Sequence, residues 1–508
     1  MDKIIVLDFG GQYCHLIARR IRDLGVYSEI LPCNTSQEEL LKISDLKGMI
    51  FSGGAASVYD ADSPKCAKEI LDLGIPILGV CYGHQLIAFL QGGEVASGQA
   101  GEYGLTELNI KKESFLLAGL RNIEQVWMNH KDIVKNLTAA YSVVAETRDS
   151  AIAVFENRAE NLYGVQFHPE VSHTECGNKI FENFVFNICM AKRGWNVENI
   201  LENIIYEAKE RIGDKRAILG LSGGVDSAVA AVLVEKAIGK NLTAVYVDTG
   251  LMRHKETEFI EATFSKFNLN LKIVRAGERF FEALKNIDDP EAKRKIIGKL
   301  FIDIFEEAAK AERADILIQG TIYSDRIESG VTQHSSKIKS HHNVGGLPEK
   351  MNLQVYEPLR DLYKDEVRKI AKELNLPHEI IHRQVFPGPG LAIRMLGEVT
   401  PEKTEIVRKA SYIVEEELKK AGLYDKIWMA FAVLLPIKSV GIQGDERSYK
   451  YPVVVRIVES KDAMTANFAK VPYDVLEAIS TKITNEVKEV NRVVYDISNK
   501  PPATMEWE

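Results

Sequence analysis

Residues 221–228 read Leu-Ser-Gly-Gly-Val-Asp-Ser-Ala and follow the apolar run Ala217-Ile218-Leu219. A strand, a glycine turn and a helix start in this order predict an α/β fold with a phosphate cradle at the turn. The two glycines let backbone amides face an anion, and the helix N-terminus adds a partial positive charge. The helix after the turn is predicted at 225–238, and its Ala and Val residues indicate that it is buried. The alternative is an ordinary tight strand-to-helix turn, but the complete string favours phosphate binding. The loop lacks the lysine of a Walker A sequence, so no lysine contact to a γ-phosphate is predicted here.

The string from Ser222 to Ser227 resembles the pyrophosphate loop of the N-type ATP pyrophosphatases, which cleave ATP between its α and β phosphates. Asp248 closes a second apolar run and should lie at the same carboxyl edge of a parallel sheet, near the adenosine. The resemblance implies Mg²⁺ with ATP and no other cofactor, with Asp226 as the carboxylate linked to the metal. A helix-capping role for Asp226 is the alternative. The predicted ATP-binding residues are Ser222, Gly223, Gly224, Val225, Asp226, Ser227 and Asp248.

A second motif lies upstream, where Cys81 stands between an apolar strand at 75–80 and a helix at 82–90. Gly79 and Gly83 flank the cysteine at the spacing of a nucleophile elbow. A thiol at a helix N-terminus is held more readily as the thiolate. A lone cysteine is more often a core residue, so the interpretation depends on a partner base.

The partner base is predicted in Phe167-His168-Pro169-Glu170-Val171, which follows a strand at 162–167. His168 can accept the thiol proton, and Glu170 can fix the tautomer of the imidazole. Residues at i and i+2 of an extended segment point to the same side, so one short segment can supply both groups.

Together, Cys81-Tyr82-Gly83-His84-Gln85 and His168-Pro169-Glu170 resemble the class I glutamine amidotransferases. In that family a Cys, a His and a Glu release ammonia from glutamine through a thioester. The resemblance implies that Cys81, His168 and Glu170 are catalytic. It also implies oxyanion or glutamine-binding roles for Gly53, Tyr82 and Gln85.

The C-terminal third resembles the glutamine-hydrolysing GMP synthetase family, in Phe386-Pro387-Gly388-Pro389-Gly390-Leu391 and in the closing Lys500-Pro501-Pro502-Ala503-Thr504-Met505-Glu506-Trp507-Glu508. The resemblance implies that ammonia displaces AMP from adenylylated XMP, and that the chain forms a homodimer through its C-terminal domain. A solvated basic helix face is the alternative for Arg294, and a solvated tail for Lys500 and Glu506. The implied residues are Arg294, Lys500 and Glu506 for XMP, and Lys337 and Lys339 in a lid.

Four positions depart from the pattern of that family. Asn129 and Lys131 stand where Ser and Gly are expected, Ser324 where Pro is usual, and Gln384 where His is frequent. None of them belongs to the predicted triad or phosphate loop. We therefore expect them to affect glutamine affinity and loop stiffness rather than the reaction.

The composition of the chain limits the classes of partner and the cellular location that can be expected. Its 508 residues carry a net charge of −8, which argues against nucleic acid or a membrane surface as a partner. No apolar stretch approaches the ~20 residues of a membrane span, and the N-terminal apolar run is too short for a signal peptide. All six cysteines precede residue 190 and none forms a Cys-x-x-Cys pair. Reduced thiols and a cytoplasmic location are therefore expected.

The alternation of strands and helices predicts two consecutive open-sheet α/β domains, followed by a small α+β domain. A helix predicted at 178–190 ends the first domain. We expect a class I glutamine amidotransferase domain at 1–192 and an ATP pyrophosphatase domain, of the adenine-nucleotide alpha-hydrolase-like fold, at 193–385. The dimerisation and XMP-binding domain is expected at 386–508.

Two other functions are considered. One is a different ATP pyrophosphatase, such as an enzyme that makes an amide on a dinucleotide precursor, but it leaves the Lys-Pro-Pro ending unexplained. The other is a degenerate amidotransferase kept as a scaffold or ligand sensor. Such a protein should have lost Cys81, His168 or Asp226, and all three are present.

Overall fold

The computed structural model describes residues 1–323, 325, 353–443, 445–460 and 465–508. The chain divides into two compact units, Met1–Ile200 and Leu201–Glu508. In the described parts of the chain, no helix combines the length and the apolar composition that a membrane span requires. The expected division into three domains is finer than this one and stays a prediction.

The first unit is built on a nine-stranded sheet in the order β2-β1-β3-β4-β9-β8-β7-β5-β6. The four pairs β2–β1, β1–β3, β3–β4 and β4–β9 are parallel. The four pairs β9–β8, β8–β7, β7–β5 and β5–β6 are antiparallel. The strands are β1 (Lys3–Asp8), β2 (Tyr27–Pro32), β3 (Leu46–Phe51), β4 (Ile77–Val80), β5 (Glu94–Ile110), β6 (Ile123–Asn136), β7 (Ser142–Glu146), β8 (Val154–Asn157) and β9 (Leu162–Val165).

Strand β1 shows why this sheet is covered on both faces. Ile4 and Val6 belong to one apolar cluster, and Ile5 and Leu7 belong to another. Alternate residues of a strand point to opposite faces, so a run of four buried apolar residues requires a layer on each side. The helices of this unit are α1 (Cys14–Asp23), α2 (Gln37–Leu41), α3 (Tyr82–Leu90) and α4 (Gly177–Glu182), and α5 (Val197–Ile212) contains the boundary between the units.

Several predicted boundaries in this unit were wrong for identifiable reasons. Strand β4 begins after Pro76, which has no backbone N–H to donate. Strand β9 ends at Val165, and residues 166–167 form a bend rather than extended strand. The predicted helix at 178–190 ends its α-helical part at Glu182 and continues as a π-helical turn over Asn183–Ile188. The buried Asn183 amide there donates to two backbone carbonyls, of Leu116 and Ala118, at 2.9 Å each.

The second unit begins with a five-stranded sheet in the order β12-β11-β10-β13-β14, parallel throughout. The predicted helix at 225–238 is confirmed, and nine of its residues are buried, as its small apolar side chains indicated. The strands are β10 (Ala217–Gly220), β11 (Leu242–Asp248), β12 (Asn270–Arg275), β13 (Ile316–Ile318) and β14 (Gln354–Tyr356). The helices are α6 (Val225–Ile238), α7 (Glu256–Phe264), α8 (Gly277–Ala283), α9 (Pro290–Glu312), α10 (Lys364–Glu373) and α11 (His378–Ile381).

The C-terminal part of the second unit is α+β, as predicted. Its long strand β17 pairs with β15, β16 and β18 in antiparallel fashion and with β19 in parallel. The elements are α12 (Pro401–Lys420), β15 (Met429–Leu434), β16 (Ser439–Gln443), β17 (Glu446–Glu459), β18 (Asn467–Phe468), α13 (Tyr473–Glu486) and β19 (Val490–Asp496).

Candidate active sites and family membership

The turn between β4 and α3 has the geometry of a nucleophile elbow. Cys81 has φ 52° and ψ −101°, a backbone conformation that is strained for a residue with a side chain. A Cβ added to Gly79 would lie 2.4 Å from the carbonyl oxygen of Gly83. One added to Gly83 would lie 2.4 Å from the carbonyl oxygen of Phe51. Both flanking glycines are therefore required by close backbone contact, as the spacing predicted.

His168 is held by partners on three sides. Its Nδ1 lies 2.7 Å from Oε1 of Glu170, its backbone N–H donates to the carbonyl of Trp127, and its carbonyl accepts from the Thr174 hydroxyl at 2.7 Å. Its Nε2 is buried and has no hydrogen-bond partner among the described residues. A bend and a turn, rather than the extended segment we expected, bring the imidazole and the carboxylate together.

The charge state of His168 follows from its surroundings. Burial by itself would lower the pKa of the imidazole, but the sulfur of Cys81 and the carboxylate of Glu170 outweigh burial and raise the pKa to about 11. A buried imidazolium facing a sulfur favours the thiolate, which is the nucleophilic form of cysteine. This arrangement can attack a carbonyl carbon and then donate a proton to the leaving group.

Gly53 lies between the two catalytic candidates. A Cβ added there would lie 3.1 Å from Cε1 of His168 and 3.7 Å from Cβ of Cys81. Within the described chain, the backbone amides of Gly53 and Tyr82 donate to no other group, and the helix start at Cys81 has no side-chain cap. Two free amide donors beside a nucleophile are what an oxyanion hole requires.

Gln85 is buried, and its side-chain amide is bound within the protein. It donates to the carbonyl of Asp132 at 2.7 Å and to Oε1 of Gln166 at 3.1 Å. Of the two departures nearby, Lys131 is exposed, and Asn129 places its carbonyl 3.9 Å from the Cys81 sulfur. Sequence reasoning missed Thr174 and Gln166, although both stand within six residues of His168.

The glycine loop after β10 is closed by its two serines. Ser222 Oγ lies 2.9 Å from Ser227 Oγ, and the Ser227 hydroxyl donates to the carbonyl of Gly224. Gly223 has φ +78°, and a Cβ there would lie 2.8 Å from Oε1 of Glu256. The loop thus wraps the N-terminus of α6, as the phosphate-cradle interpretation requires.

Two cations that the sequence did not single out lie at this loop. Lys364, at the start of α10, forms an ion pair with Oδ2 of Asp226 at 2.5 Å. Arg383 donates to the carbonyl of Gly223 at 3.2 Å and forms an ion pair with Glu256. Neither residue belongs to a recognisable sequence motif, and both are far from the loop along the chain. The fold therefore brings these cations to the loop, and the sequence alone did not predict them.

Asp248 lies at the carboxyl end of β11 and caps the following turn. Its carboxylate accepts from the Gly250 amide at 2.9 Å and from the Thr257 hydroxyl at 2.8 Å. These contacts hold the edge of the sheet beside the loop. A contact with adenosine stays a prediction.

The tail from 504 to 508 is bound to buried cations. Arg394 makes two contacts with the Glu506 carboxylate, at 2.8 and 3.0 Å. Lys293, fully buried, pairs with the side-chain carboxylate of Glu508 at 2.5 Å, and Arg294 donates to the backbone oxygen of Glu508. The tail is therefore docked on the second unit, and the alternative of a solvated tail is wrong for Glu506. Of the other predicted residues, Lys500 bonds through its backbone to Ala466.

Three predicted positions, Lys337, Lys339 and Ser324, lie outside the described residues. The fourth departure, Gln384, is buried and has a packing role. Its amide oxygen accepts from the Ala430 amide at 3.0 Å, and its nitrogen donates to the carbonyls of Tyr424 and Ile427.

Three family models match successive parts of the chain. The model for glutamine amidotransferase class-I matches residues 5–188, and the model for NAD synthase matches residues 197–318. The model for the GMP synthase C terminal domain matches residues 416–507. The chain is thus a class I glutamine amidotransferase joined to a nucleotide-using synthetase.

Curated relatives match along the whole chain. GMP synthase [glutamine-hydrolyzing] of Clostridium novyi (strain NT) is 52% identical over 509 residues, covering 100% of this chain and 99% of the relative. The enzyme of the same name from Clostridium botulinum (strain Hall) is 53% identical over 510 residues, with the same coverage. This chain belongs to the glutamine-hydrolysing GMP synthase family.

Proposed function

We propose that this chain converts XMP to GMP, hydrolysing glutamine for ammonia and ATP to AMP and pyrophosphate. One observation carries the proposal: a thiol elbow with a buried His–Glu pair and a glycine-rich loop at a helix N-terminus occur in one chain. The first arrangement suits ammonia release, and the second suits activation of the acceptor. Neither rival function accounts for both together with full-length similarity to GMP synthases.

In the amidotransferase site, the Cys81 thiolate attacks the side-chain carbonyl carbon of glutamine. The developing oxyanion accepts hydrogen bonds from the amides of Gly53 and Tyr82, each such donor being worth about 3 kcal/mol. The His168 imidazolium donates its proton to the leaving ammonia, and Glu170 holds the ring in position. Water, deprotonated by His168, then hydrolyses the thioester to glutamate. Gln85 completes the wall of the site.

In the synthetase site, the loop from Ser222 to Ser227 holds the phosphates of ATP. The O2 of XMP attacks the α-phosphate, and pyrophosphate leaves. Ammonia then attacks C2 of the adenylylated base and displaces AMP. The amide groups of the loop, the N-terminus of α6 and the nearby cations Lys364 and Arg383 supply positive charge for the departing pyrophosphate. Asp248 lies at the adenosine side.

Asp226 fits a role in holding Mg²⁺. Its Oδ1 is buried with no hydrogen-bond partner among the described residues, while Oδ2 is paired with Lys364. Carboxylate oxygens and phosphates are the ligands that Mg²⁺ prefers. A Mg²⁺ ion held by Asp226 would supply positive charge against the phosphates. Asp226 also stands in the first turn of α6, where a carboxylate complements the helix dipole.

The XMP phosphate is assigned to Arg294 and Lys500, with Glu506 positioned by Arg394. Removal of one charge-assisted contact costs about 1.5–3 kcal/mol, which is roughly ten- to a hundredfold in affinity. We expect Lys500→Ala to raise the KM for XMP by that factor in a titration at saturating ATP and ammonia. Glutamine hydrolysis at Cys81 should be unchanged. An unaltered XMP dependence would remove Lys500 from the site and leave Arg294.

The proposal extends to the domains of the chain, its location and its association. The domains are 1–192, 193–385 and 386–508, and the protein works in the cytoplasm as a homodimer through the last of these. Support for the dimer comes from the outer face of the β16–β17 hairpin, where apolar side chains are exposed. They are Val440, Ile442 and Tyr449, which are 58%, 77% and 65% exposed.

The decisive experiment follows GMP formation with two nitrogen sources. We expect Cys81→Ala to lose glutamine-dependent GMP formation and to keep formation from ammonium salts, because the synthetase site is intact. Asp226→Ala should lose both. Labelled ATP should yield AMP and pyrophosphate, and its conversion to ADP and phosphate would contradict the assignment of the loop.

A further inference from the structure

A buried chain of hydrogen bonds leads from the backbone of β6 to the sulfur of Cys81. The carbonyl of Asp132 accepts from Nε2 of Gln85 at 2.7 Å, and the same nitrogen donates to Oε1 of Gln166 at 3.1 Å. Nε2 of Gln166 then lies 3.8 Å from Sγ of Cys81, within the range of an N–H···S hydrogen bond. Gln85, Gln166 and Cys81 are all buried.

The chemistry of the first acceptor fixes the direction of every bond in this chain. A backbone carbonyl can only accept, so Gln85 must present its NH₂ group to Asp132. That NH₂ also faces the amide of Gln166, which must therefore present its oxygen to Gln85. The remaining end of Gln166, its NH₂ group, is thereby directed at the sulfur. The opposite orientation of either amide would place two acceptors or two donors against each other.

The carbonyl that starts the chain is itself braced. Nδ1 of His130 lies 3.0 Å from the Asp132 carbonyl, and Nε2 of His130 lies 3.1 Å from Oε2 of Glu102. The hydroxyl of Thr147 donates to the other oxygen of Glu102 at 2.7 Å. This group of side chains is buried. These contacts hold the Asp132 carbonyl in place, so the direction of the chain is set before substrate binds.

The sulfur of Cys81 has one partner for each protonation state. The carbonyl of Asn129, at 3.9 Å, can accept from the thiol S–H, whereas the N–H of Gln166 can donate to the thiolate. The other groups that face the sulfur are the imidazole of His168 and, behind it, the carboxylate of Glu170. Without Gln166, the thiolate would keep its charged partner, the imidazolium of His168, and would lose its neutral donor, the amide N–H.

We propose that Gln166 is a thiolate-stabilising residue of the amidotransferase site, and that Gln85 is the positioning residue that fixes the direction of its N–H. This assignment deepens the proposed function, because it rests on Cys81 being the nucleophile. Gln85 thereby acquires a role within the protein besides its predicted place in the glutamine pocket.

The test measures the thiolate directly. Cys81 is alkylated with iodoacetamide over a range of pH, and modification of its peptide is followed by mass spectrometry in the full-length protein. Gln166→Met keeps the length of the side chain and removes the donor. We expect the midpoint of its alkylation profile to rise by about one pH unit, so that alkylation on the acid side slows about tenfold.

A second variant keeps the test valid if Gln166→Met does not fold. Gln166→Glu keeps an oxygen for Gln85 and presents another oxygen to the sulfur, so its midpoint should rise at least as far. Gln85→Met leaves the amide of Gln166 free to turn and should give a smaller rise. The matched control is Gln125→Met, an exposed glutamine of β6, whose profile should coincide with that of the native protein.

The outcomes separate this proposal from the proposed function. A native protein that fails to hydrolyse glutamine overturns the function, whatever the alkylation profile shows. Native activity together with an unshifted midpoint in both folded Gln166 variants overturns the role of Gln166 alone. A shift as large in Gln125→Met would attribute the effect to general loss of structure and would equally overturn the proposal.

Discussion

At the scale of single residues, the proposed catalytic chemistry depends on the strained backbone of Cys81 and on the raised pKa of His168. Cys81 is held at positive φ by glycines that admit no side chain, so its sulfur projects from the turn. The raised pKa of His168, about 11, keeps a proton on the imidazole at neutral pH. The elbow was predictable because its spacing is local. The raised pKa was not, because burial and charge at His168 depend on contacts across the sheet.

The pH dependence of glutamine hydrolysis should reveal the partner of His168. Glu170→Gln removes the carboxylate charge that helps to raise the pKa of His168, so the imidazolium is lost at lower pH. We expect the alkaline limb of kcat/KM for glutamine to move down by about one pH unit or more. Glu175→Gln, an exposed carboxylate of the same segment, is the control and should leave the limb in place. An unmoved limb in Glu170→Gln would mean that Glu170 does not set this pKa.

At the scale of elements, sequence patterns predicted the strands and helices that carry the motifs and missed many of those that support them. Helices at 82–90 and 225–238 were predicted to the residue, because apolar runs and glycine turns mark their ends. The long hairpin strand β6 was not predicted, although it alternates buried and exposed residues along most of its length. The cations at the phosphate loop come from α10 and the segment after α11, far along the chain.

The tail gives a test of energetics at this scale. Burial raises the pKa of the Glu508 carboxyl even though Lys293 lies against it, so the pair gains little net energy from being buried. Glu508→Ala leaves the Lys293 ammonium buried beside one carbonyl. We expect the free energy of unfolding of the second unit to fall by about 3 kcal/mol, measured by urea denaturation.

The double variant distinguishes a lost pair from a stranded charge. Adding Lys293→Met to Glu508→Ala should restore part of the stability, since the unpaired charge is gone. Glu291→Ala, which removes the exposed partner of Lys295, should change stability by less than about 0.5 kcal/mol. A double variant less stable than the single one would contradict the stranded-charge explanation, because Lys293 would then stabilise the unit without Glu508.

At the scale of the whole molecule, the order of domains was predictable and their assembly was not. Three successive family matches agree with the order of motifs along the chain. Association of subunits depends on surface residues. In the sequence, an exposed apolar side chain has the same periodic pattern as a buried one, so the surface that could form an interface was not predictable. In the β16–β17 hairpin, Val440 and Tyr449 lie opposite each other, so their exposed side chains share one face. Only the fold brings these two residues together.

A charge on that face should weaken the proposed dimer. Ile442→Glu would place a carboxylate beside the exposed Val440 on the apolar face, and we expect the dimer dissociation constant to rise at least about tenfold. Sedimentation velocity over a range of concentrations measures the change. Tyr103→Glu alters an exposed apolar side chain of the first unit and should leave association unchanged. Equal dimer fractions for Ile442→Glu and the native protein would move the interface elsewhere.

The two sheets differ in how soon synthesis can complete them. Strand β1 finds both of its neighbours, β2 and β3, within the first 51 residues. Strand β10, which leads into the glycine loop, must wait for β13, about a hundred residues later, before its second edge is paired. At ribosomal speeds of ~5–20 residues per second, that separation amounts to several seconds or more. A nascent chain therefore acquires the start of its first sheet early, whereas the strands that frame its glycine loop are among the later parts to mature.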